Sequence, residues 1–345
     1  MDRLPMKLRL ASVLVSASIM VWACTKGDGG VPDAGSGSAV GDSAAPDAAA
    51  SDESSPDGAS SDGRADDAEA DAGDAGALDG TTLDADAGIL WTHYEFPEVG
   101  FPNGWLIANQ GNSPNNWAAS TVGGVSALNL FSHDVAGGGA CADNTACAAS
   151  QCVAGTCRQR VKQKSPRLDF DFGLYQWRVY VPAFSPAGAA GAQVSVGAFV
   201  YADDNHELDF ECGPGTTAAR ASATLKHLDG TTGPALATDM LCYLTSQGNP
   251  SVSAPIALPT ATWHTLELAM TADASRHYAV TWKVDGVAVQ TQQLAYGPAD
   301  ACDLYTAGRK CTWQAFLSVE NLAFIGDIYP AVRNDAHFDW FRYGK

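Results

Sequence analysis

The chain has 345 residues and a formal net charge of −19, enough length for one large folded domain or two small ones. The acidity is uneven: residues 25–88 carry sixteen Asp and Glu against Lys26 and Arg64, while residues 1–24 are slightly basic. No basic stripe offers itself to a phosphate backbone, which argues against a nucleic-acid partner.

Residues 1–24 have the form of an export signal. Lys7 and Arg9 make a short basic region, and the apolar run from Leu10 to Ala23 is too short for a comfortable membrane span. It ends in Val21-Trp22-Ala23-Cys24, which resembles the lipobox of bacterial lipoproteins. That resemblance implies lipidation of Cys24 and attachment to the bacterial outer membrane or cell surface. An ordinary secretory signal with Cys24 incidental is the alternative, and both readings export the protein.

Residues 25–88 are Ala, Asp, Gly and Ser with scattered Pro and no aromatic residue. Such a stretch buries too little apolar surface to offset the entropy of ordering, so a disordered, self-repelling tether is expected. Its acids are spaced too irregularly for a calcium-binding tail.

From Ile89 the composition changes. Eight of the nine tryptophans lie beyond this point, and Gly, Pro and Asn punctuate short apolar runs. In chain order the strand-like runs are Ala127–Phe131, Leu174–Val181, Gln193–Tyr201, Glu207–Glu211, Ala221–Leu228, Trp263–Met270, Tyr278–Val284, Val287–Gln292, Ala315–Val319 and His337–Tyr343. Asp285-Gly286 between two of them is a type I′ hairpin signal. Many short strands without a helical period predict an all-β fold. We expect an antiparallel two-sheet jelly-roll sandwich spanning residues 89–345 as one domain.

Eight cysteines fall in this region, and an even number in an exported chain favours disulfides. Cys212 with Cys242 and Cys302 with Cys311 are plausible pairs, and Cys141, Cys147, Cys152 and Cys157 staple one loop among themselves. A zinc site from those four is the alternative, although they lack paired C-x-x-C spacing.

The run His206-Glu207-Leu208-Asp209-Phe210-Glu211 alternates acid and apolar residues with period two. On a strand, Glu207, Asp209 and Glu211 share one face, and Leu208 and Phe210 share the other. Such a pattern also describes the solvated face of an ordinary sheet. Three like charges in a row raise at least one pKa, however, and chemistry that needs one ionised and one protonated carboxyl would use that.

Glu207-Leu208-Asp209-Phe210-Glu211 resembles the Glu-Ile/Leu-Asp-x-Glu signature of the family 16 glycoside hydrolases. Other segments follow in matching order: Phe172-Gly173-Leu174-Tyr175, Gly197-Ala198-Phe199-Val200-Tyr201, Trp263-His264-Thr265, Trp282-Lys283-Val284-Asp285-Gly286, Ser318-Val319-Glu320-Asn321-Leu322-Ala323 and Asp339-Trp340-Phe341-Arg342-Tyr343. The resemblance implies a concanavalin A-like sandwich and a retaining endo-glycosidase acting on a β-linked, glucan-like polysaccharide. It implies Glu207 as nucleophile, Asp209 as its assistant and Glu211 as acid/base. Phe199, Tyr201, Asn321 and Arg167 match substrate-contacting positions. The lack of an extra residue between Asp209 and Glu211 is similar to the lichenase and xyloglucan-enzyme pattern. No cofactor is required by this mechanism. A structural calcium is compatible with the fold, with no ligands to name, and a monomer is expected. The chain departs from the family after Glu211, where Cys212-Gly213-Pro214-Gly215 implies a rebuilt acceptor side. A non-catalytic carbohydrate-binding module on the same fold, or a transglycosylase using the same carboxylates, are the alternative functions.

Overall fold

The computed structural model describes residues 79–84, 88–96, 104–133, 139–153, 155–166, 170–183, 195–203, 206–247, 251–297, 313–321 and 333–345. The export signal, Cys24, Arg167 and the Cys302/Cys311 pair lie outside them.

The first described element begins ahead of the expected domain start. Asp79–Asp84 (β1) pairs antiparallel with Ile89–Glu95 (β2), so backbone pairing starts within the last residues of the acidic stretch. Thr81, Thr82 and Leu83 are better strand formers than the Ala/Asp/Gly/Ser residues before them. Next come Leu106–Ile107 (β3), Trp117–Val122 (β4) and Val125–His133 (β5). Gln151–Val153 (β6) and Thr156–Arg158 (β7) form a small hairpin, and Arg160–Lys164 (β8), Gly173–Val181 (β9) and Ser195–Asp203 (β10) follow. Then come His206–Gly213 (β11), Lys226–His227 (β12), Asp239–Gln247 (β13), Val252–Pro259 (β14), Thr262–Ala272 (β15) and Tyr278–Val284 (β16). Val287–Gln293 (β17), Gln314–Glu320 (β18) and Arg333–Gly344 (β19) complete the set.

Among the described residues these strands form two large sheets and the β6–β7 hairpin. One sheet runs β12-β14-β13-β11-β10-β18-β8-β3, which places β11 in its interior. The other runs β1-β2-β19-β9-β15-β16-β17, with β5 and β4 joined beside β19. β19 changes neighbour halfway along, from β5 to β2, and its register against β9 shifts between Phe338 and Trp340. Pairing is antiparallel throughout apart from the two-residue β12–β14 contact. The expected two-sheet sandwich is what the chain forms.

Alternation along β11 places Leu208, Phe210 and Cys212 in the core between the sheets. They meet Trp177, Tyr278 and Trp282 from the second sheet, each fully buried. Trp282 also donates its indole N–H to the Asp209 backbone carbonyl at 3.0 Å, a direct polar tie between the sheets behind the acid row. Asp285 and Gly286 both take positive φ, 51° and 80°, as a type I′ turn requires. The Asp285 carboxylate accepts from the Thr265 N–H at 2.8 Å and lies 2.7 Å from His264 Nδ1, so the hairpin is fastened to β15.

The run Ala221–Leu228, expected as a strand, is mostly loop. Thr216 caps the short helix Thr217–Arg220 (α1) by accepting from the Ala219 N–H at 3.1 Å. The Arg220 guanidinium then binds the carbonyls of Pro214, Leu236 and Asp239 at 2.8, 2.5 and 2.8 Å. The chain wraps around that guanidinium, and only Lys226–His227 keep strand pairing.

The cysteine pairing follows expectation where it is described. Cys141–Cys152 and Cys147–Cys157 staple the loop before β8, which leaves no free thiolates among them for zinc. Cys212 and Cys242 face one another directly across β11 and β13 and are joined. Replacing both by alanine removes this link on the core face of the acid strand. We expect a loss of about 2–5 kcal/mol in stability, read from urea unfolding of the non-reduced proteins.

Candidate active site

β11 holds the three carboxylates on the face turned away from the core. Glu207 lies opposite Tyr201 of β10 and Gln247 of β13; Asp209 lies opposite Phe199 and Thr245; Glu211 lies opposite Gly197 and Tyr243. Directly opposite residues share a face of an antiparallel sheet. The same face continues through Gln314, Phe316, Ser318 and Glu320 of β18 and through Lys164, Lys162 and Arg160 of β8. Glu207 and Glu211 are half-buried, and Asp209 is 1% exposed.

Gly197 is the small residue beside Glu211. A Cβ there would fall 2.4 Å from Ser318 Oγ and 3.3 Å from the Phe199 ring, so neighbouring side chains already lean into its space. At the far end of the row, Gly215 takes φ +70° and approaches Leu241 so closely that a Cβ would meet its Cδ1 at 2.5 Å. This close turn folds the loop after Glu211 back onto β13, where Leu225, Leu241 and Ala257 make a second small apolar cluster flanked by Tyr243. Within that loop the His227 Nε2 lies 3.2 Å from the Gly233 carbonyl.

The residues expected to meet substrate fare differently. Tyr201 faces the acid row and is half-buried. Phe199 faces the row but is only 4% exposed, stacked at 4.9 Å on Phe316, with Lys162 Nζ 5.2 Å from its ring centroid. It therefore serves as wall rather than as an open stacking surface. Asn321 falls on the opposite face because it follows Glu320 by one residue. It is fully buried, and its amide oxygen accepts from Ser132 Oγ at 3.1 Å and Asn334 Nδ2 at 3.3 Å. Asn321 thus ties this sheet to the other and does not face the carboxylates.

Several residues of the site were not assigned from sequence. Gln247 Nε2 donates to Glu207 Oε2 at 2.7 Å. Glu320, Lys162 and Arg160 form a buried ionic group, with Lys162 Nζ 3.1 Å from Glu320 Oε1 and Arg160 Nε bonded to Glu320 Oε2. Arg160 reaches onward to Gln151 Oε1 of the disulfide-stapled loop at 3.1 Å. A signal for this strand was present in Arg160-Val161-Lys162-Gln163-Lys164, whose cations alternate with period two.

Burial is the largest force on every carboxyl of the row. It pushes Glu207 up to about 7, opposed chiefly by the Lys162 charge and reinforced by Glu320. It pushes Glu211 up to about 8, aided by the Glu207 and Glu320 charges and opposed by Lys162 and Arg160. Asp209 is raised well above the usual carboxylate range by burial, then by its two neighbours. No N–H or hydroxyl donor among the described residues reaches either Asp209 oxygen. Its carboxyl instead shares a hydrogen bond with that of Glu207, which favours the ionised form of Glu207 and the protonated form of Asp209. Two ionised carboxylates side by side would repel, which favours a proton on one of the pair. Burial pushes Glu320 up as well, and the Arg160 and Lys162 charges more than offset it.

No family model matches the chain, and no curated protein matches it. Solved structures do. The chain is similar to the Bacteroides ovatus mixed linkage glucan GH16 in complex with product, at 10% identity and TM-score 0.42, covering 73% of this chain and 98% of that one. It is similar to the laminarinase catalytic domain from Thermotoga maritima, at 14% identity and TM-score 0.44, with 74% and 98% covered. It is similar to a β-1,3-glucanase from Mycobacterium marinum, at 14% identity and TM-score 0.39, with 73% and 97% covered.

The raised carboxyls make folding stability depend on pH. Below the free value of 4.5, Glu207 and Glu211 are protonated whether the chain is folded or not, so their contribution is fully present. As pH rises towards about 7 and 8, the unfolded chain has released these protons while the folded chain keeps them, and stability falls. Glu211→Gln removes one such group. We expect urea unfolding between about pH 5 and 8 to show a shallower decline for the variant than for the parent. The variant should be the more stable of the two at the alkaline end. Parallel curves would show that Glu211 is not held protonated.

Proposed function

We propose that the chain is a retaining endo-glycosidase that cleaves β-linked, glucan-like polysaccharide. The observation that carries this reading is the acid row of β11. Three carboxyls share one face of one strand, and burial raises all three above the usual carboxylate range.

Each residue has a chemical role in this scheme. Glu207, oriented by the Gln247 amide, attacks the anomeric carbon in its ionised form. Glu211, kept protonated by burial and by neighbouring negative charge, gives its proton to the departing glycosidic oxygen. The sugar is then bonded to Glu207. Glu211, now ionised, removes a proton from the incoming water, whose oxygen takes the anomeric carbon and frees Glu207. Loss of the negative charge on Glu207 while it carries the sugar lowers the proton affinity of Glu211, since that charge is among the causes that raise it. The proton-donating and proton-accepting steps therefore follow from one electrostatic coupling. Tyr201, half-open beside Glu207, offers an aromatic face for a sugar ring and a hydroxyl for its polar edge. We further propose that export and lipidation at Cys24 hold the domain at the cell surface as a monomer.

Purified protein is expected to release reducing ends from at least one of lichenan, laminarin, xyloglucan, agarose and carrageenan. Glu207→Ala and Glu211→Ala should each lower kcat by at least about 10²-fold. Azide should restore turnover of Glu207→Ala on an activated substrate and yield the α-glycosyl azide. Binding to the same polysaccharides without cleavage by the parent would instead establish a carbohydrate-binding module.

A further inference from the structure

Charge is distributed unevenly across the sheet face that carries the acid row. On one side of the row, β13 and β14 present Tyr243, Thr245, Ser253 and Pro255 level with it, none of them charged. On the other side, beyond β10 and β18, β8 turns three cations to this face: Arg160, Lys162 and Lys164. Arg160 and Lys162 both bind Glu320. Lys164 is half-buried, and among the described residues no carboxylate pairs with it. In register, a straight line across the strands from Asp209 meets Phe199, Phe316, Lys164 and Leu106 in turn. The two phenylalanine rings stack at 4.9 Å and floor the space between the acid and the lysine. Leu106 of β3 is 51% exposed, so the line meets solvent beyond the lysine.

We propose that Lys164 is a specificity-determining residue for an anionic substrate: the polysaccharide carries a sulfate or carboxylate group on the part that lies over β8, and Lys164 pairs with it. This rests on reading Glu207 and Glu211 as the working carboxyls of a glycosidase, and it names the class of polysaccharide they act on. Three strand spacings separate Asp209 from Lys164, about 14 Å. That exceeds the screening length of about 8 Å at physiological salt, so an anion at Lys164 is sheltered from the charge of the row. One polysaccharide can still occupy both places. A half-buried ammonium has given up part of its hydration, and a neutral sugar returns less of that than an anion does. Lysine is a point charge on a flexible stem and accepts the geometry of either sulfate or carboxylate. The chain as a whole carries −19, so its general field repels an anionic polymer, and any preference for one has to come from a local cation. Level with the acid row, β8 supplies that cation and β13 and β14 do not, which fixes the side of the row on which the anion sits.

The test uses the full chain and three forms of one polymer: lichenan, sulfated lichenan and carboxymethyl lichenan. Retardation in native gels cast with each polymer measures affinity without turnover. The parent is expected to bind at least one anionic form more tightly than lichenan itself, and the two anionic forms separate a sulfate from a carboxylate preference. In Lys164→Met the ratio of anionic to neutral affinity should fall about tenfold, the worth of one charge-assisted hydrogen bond. Lys164→Arg should keep most of the ratio. Lys345→Met, an exposed cation on the other sheet, reports the effect of overall charge alone. A parent that binds none of the three, or that shows no anionic preference, overturns the proposal. So does a ratio unchanged in Lys164→Met, or one that falls as far in Lys345→Met. On a polymer that is cleaved, the loss in Lys164→Met should fall on KM rather than kcat. A parent that cleaves nothing yet shows the Lys164-dependent preference would overturn the proposed glycosidase and leave an anionic-glycan site. A parent that cleaves lichenan with no anionic preference would do the reverse.

Discussion

Four carboxyls and two paired cations share one face of a single sheet, and the structure is arranged around that imbalance. Glu207, Asp209 and Glu211 stand on β11, Glu320 stands on β18, and Arg160 and Lys162 answer them from β8. Removing a carboxylate from water is costly unless it is paired or takes up a proton. Only Glu320 has both cations in direct contact and sits below the usual carboxylate range. The acids of β11 receive those charges at a distance, and burial raises the proton affinity of all three, Glu207 less than Glu211.

Such an arrangement is meaningful only if β11 cannot slip. A register error of one residue would exchange the acids with Leu208 and Phe210 and destroy both the core and the site. Three features hold it. Cys212 is joined to Cys242 across the strand pair, the Trp282 indole donates to the Asp209 carbonyl from the opposite sheet, and Leu208 and Phe210 are fully buried. The polar row is thus located by apolar packing behind it, and hydrogen bonds on its own face refine it, as with Gln247 on Glu207.

β9, β10, β11, β15, β16, β17 and β18 were legible as short apolar or alternating runs between turn residues; burial follows period two most clearly in β16, and β18 is buried at every position. The acid row was legible for the same reason. β13 and β14 were missed: Asp239–Gln247 opens with four consecutive buried residues and alternates in burial only through the largely polar second half, while β14 contains two prolines. The Ala221–Leu228 segment misled because its short apolar pattern reflects packing of Leu225 under a loop wound around Arg220. Asn321 and Glu320 show the sharper limit. They are adjacent in a stretch that matched the family as a block, yet one faces the carboxylates and the other bridges the sheets. A motif match carries no parity, and which of two neighbours faces a site depends on register that only the paired strand supplies.

Cys212 illustrates how a departure beside Glu211 can act without reaching the acid row. Its side chain is on the core face, joined to Cys242, so it has no access to the acid row. What it alters is the strand beneath Glu211, which is stapled to β13 at the point where the chain leaves the sheet through Gly213, Pro214 and Gly215. That exit folds the following loop over the same face, and Leu225, Leu241 and Ala257 close together beside Tyr243. The far end of the row is consequently bounded by an apolar cluster and a phenol, while the Glu207 end is bounded by Gln247, Tyr201 and Gln314, all polar-tipped. A polysaccharide lying along the row would meet hydrogen-bonding partners at one end and a greasy ledge at the other. Such asymmetry gives the acid row a direction, and the disulfide fixes it by anchoring the strand from which both ends are measured.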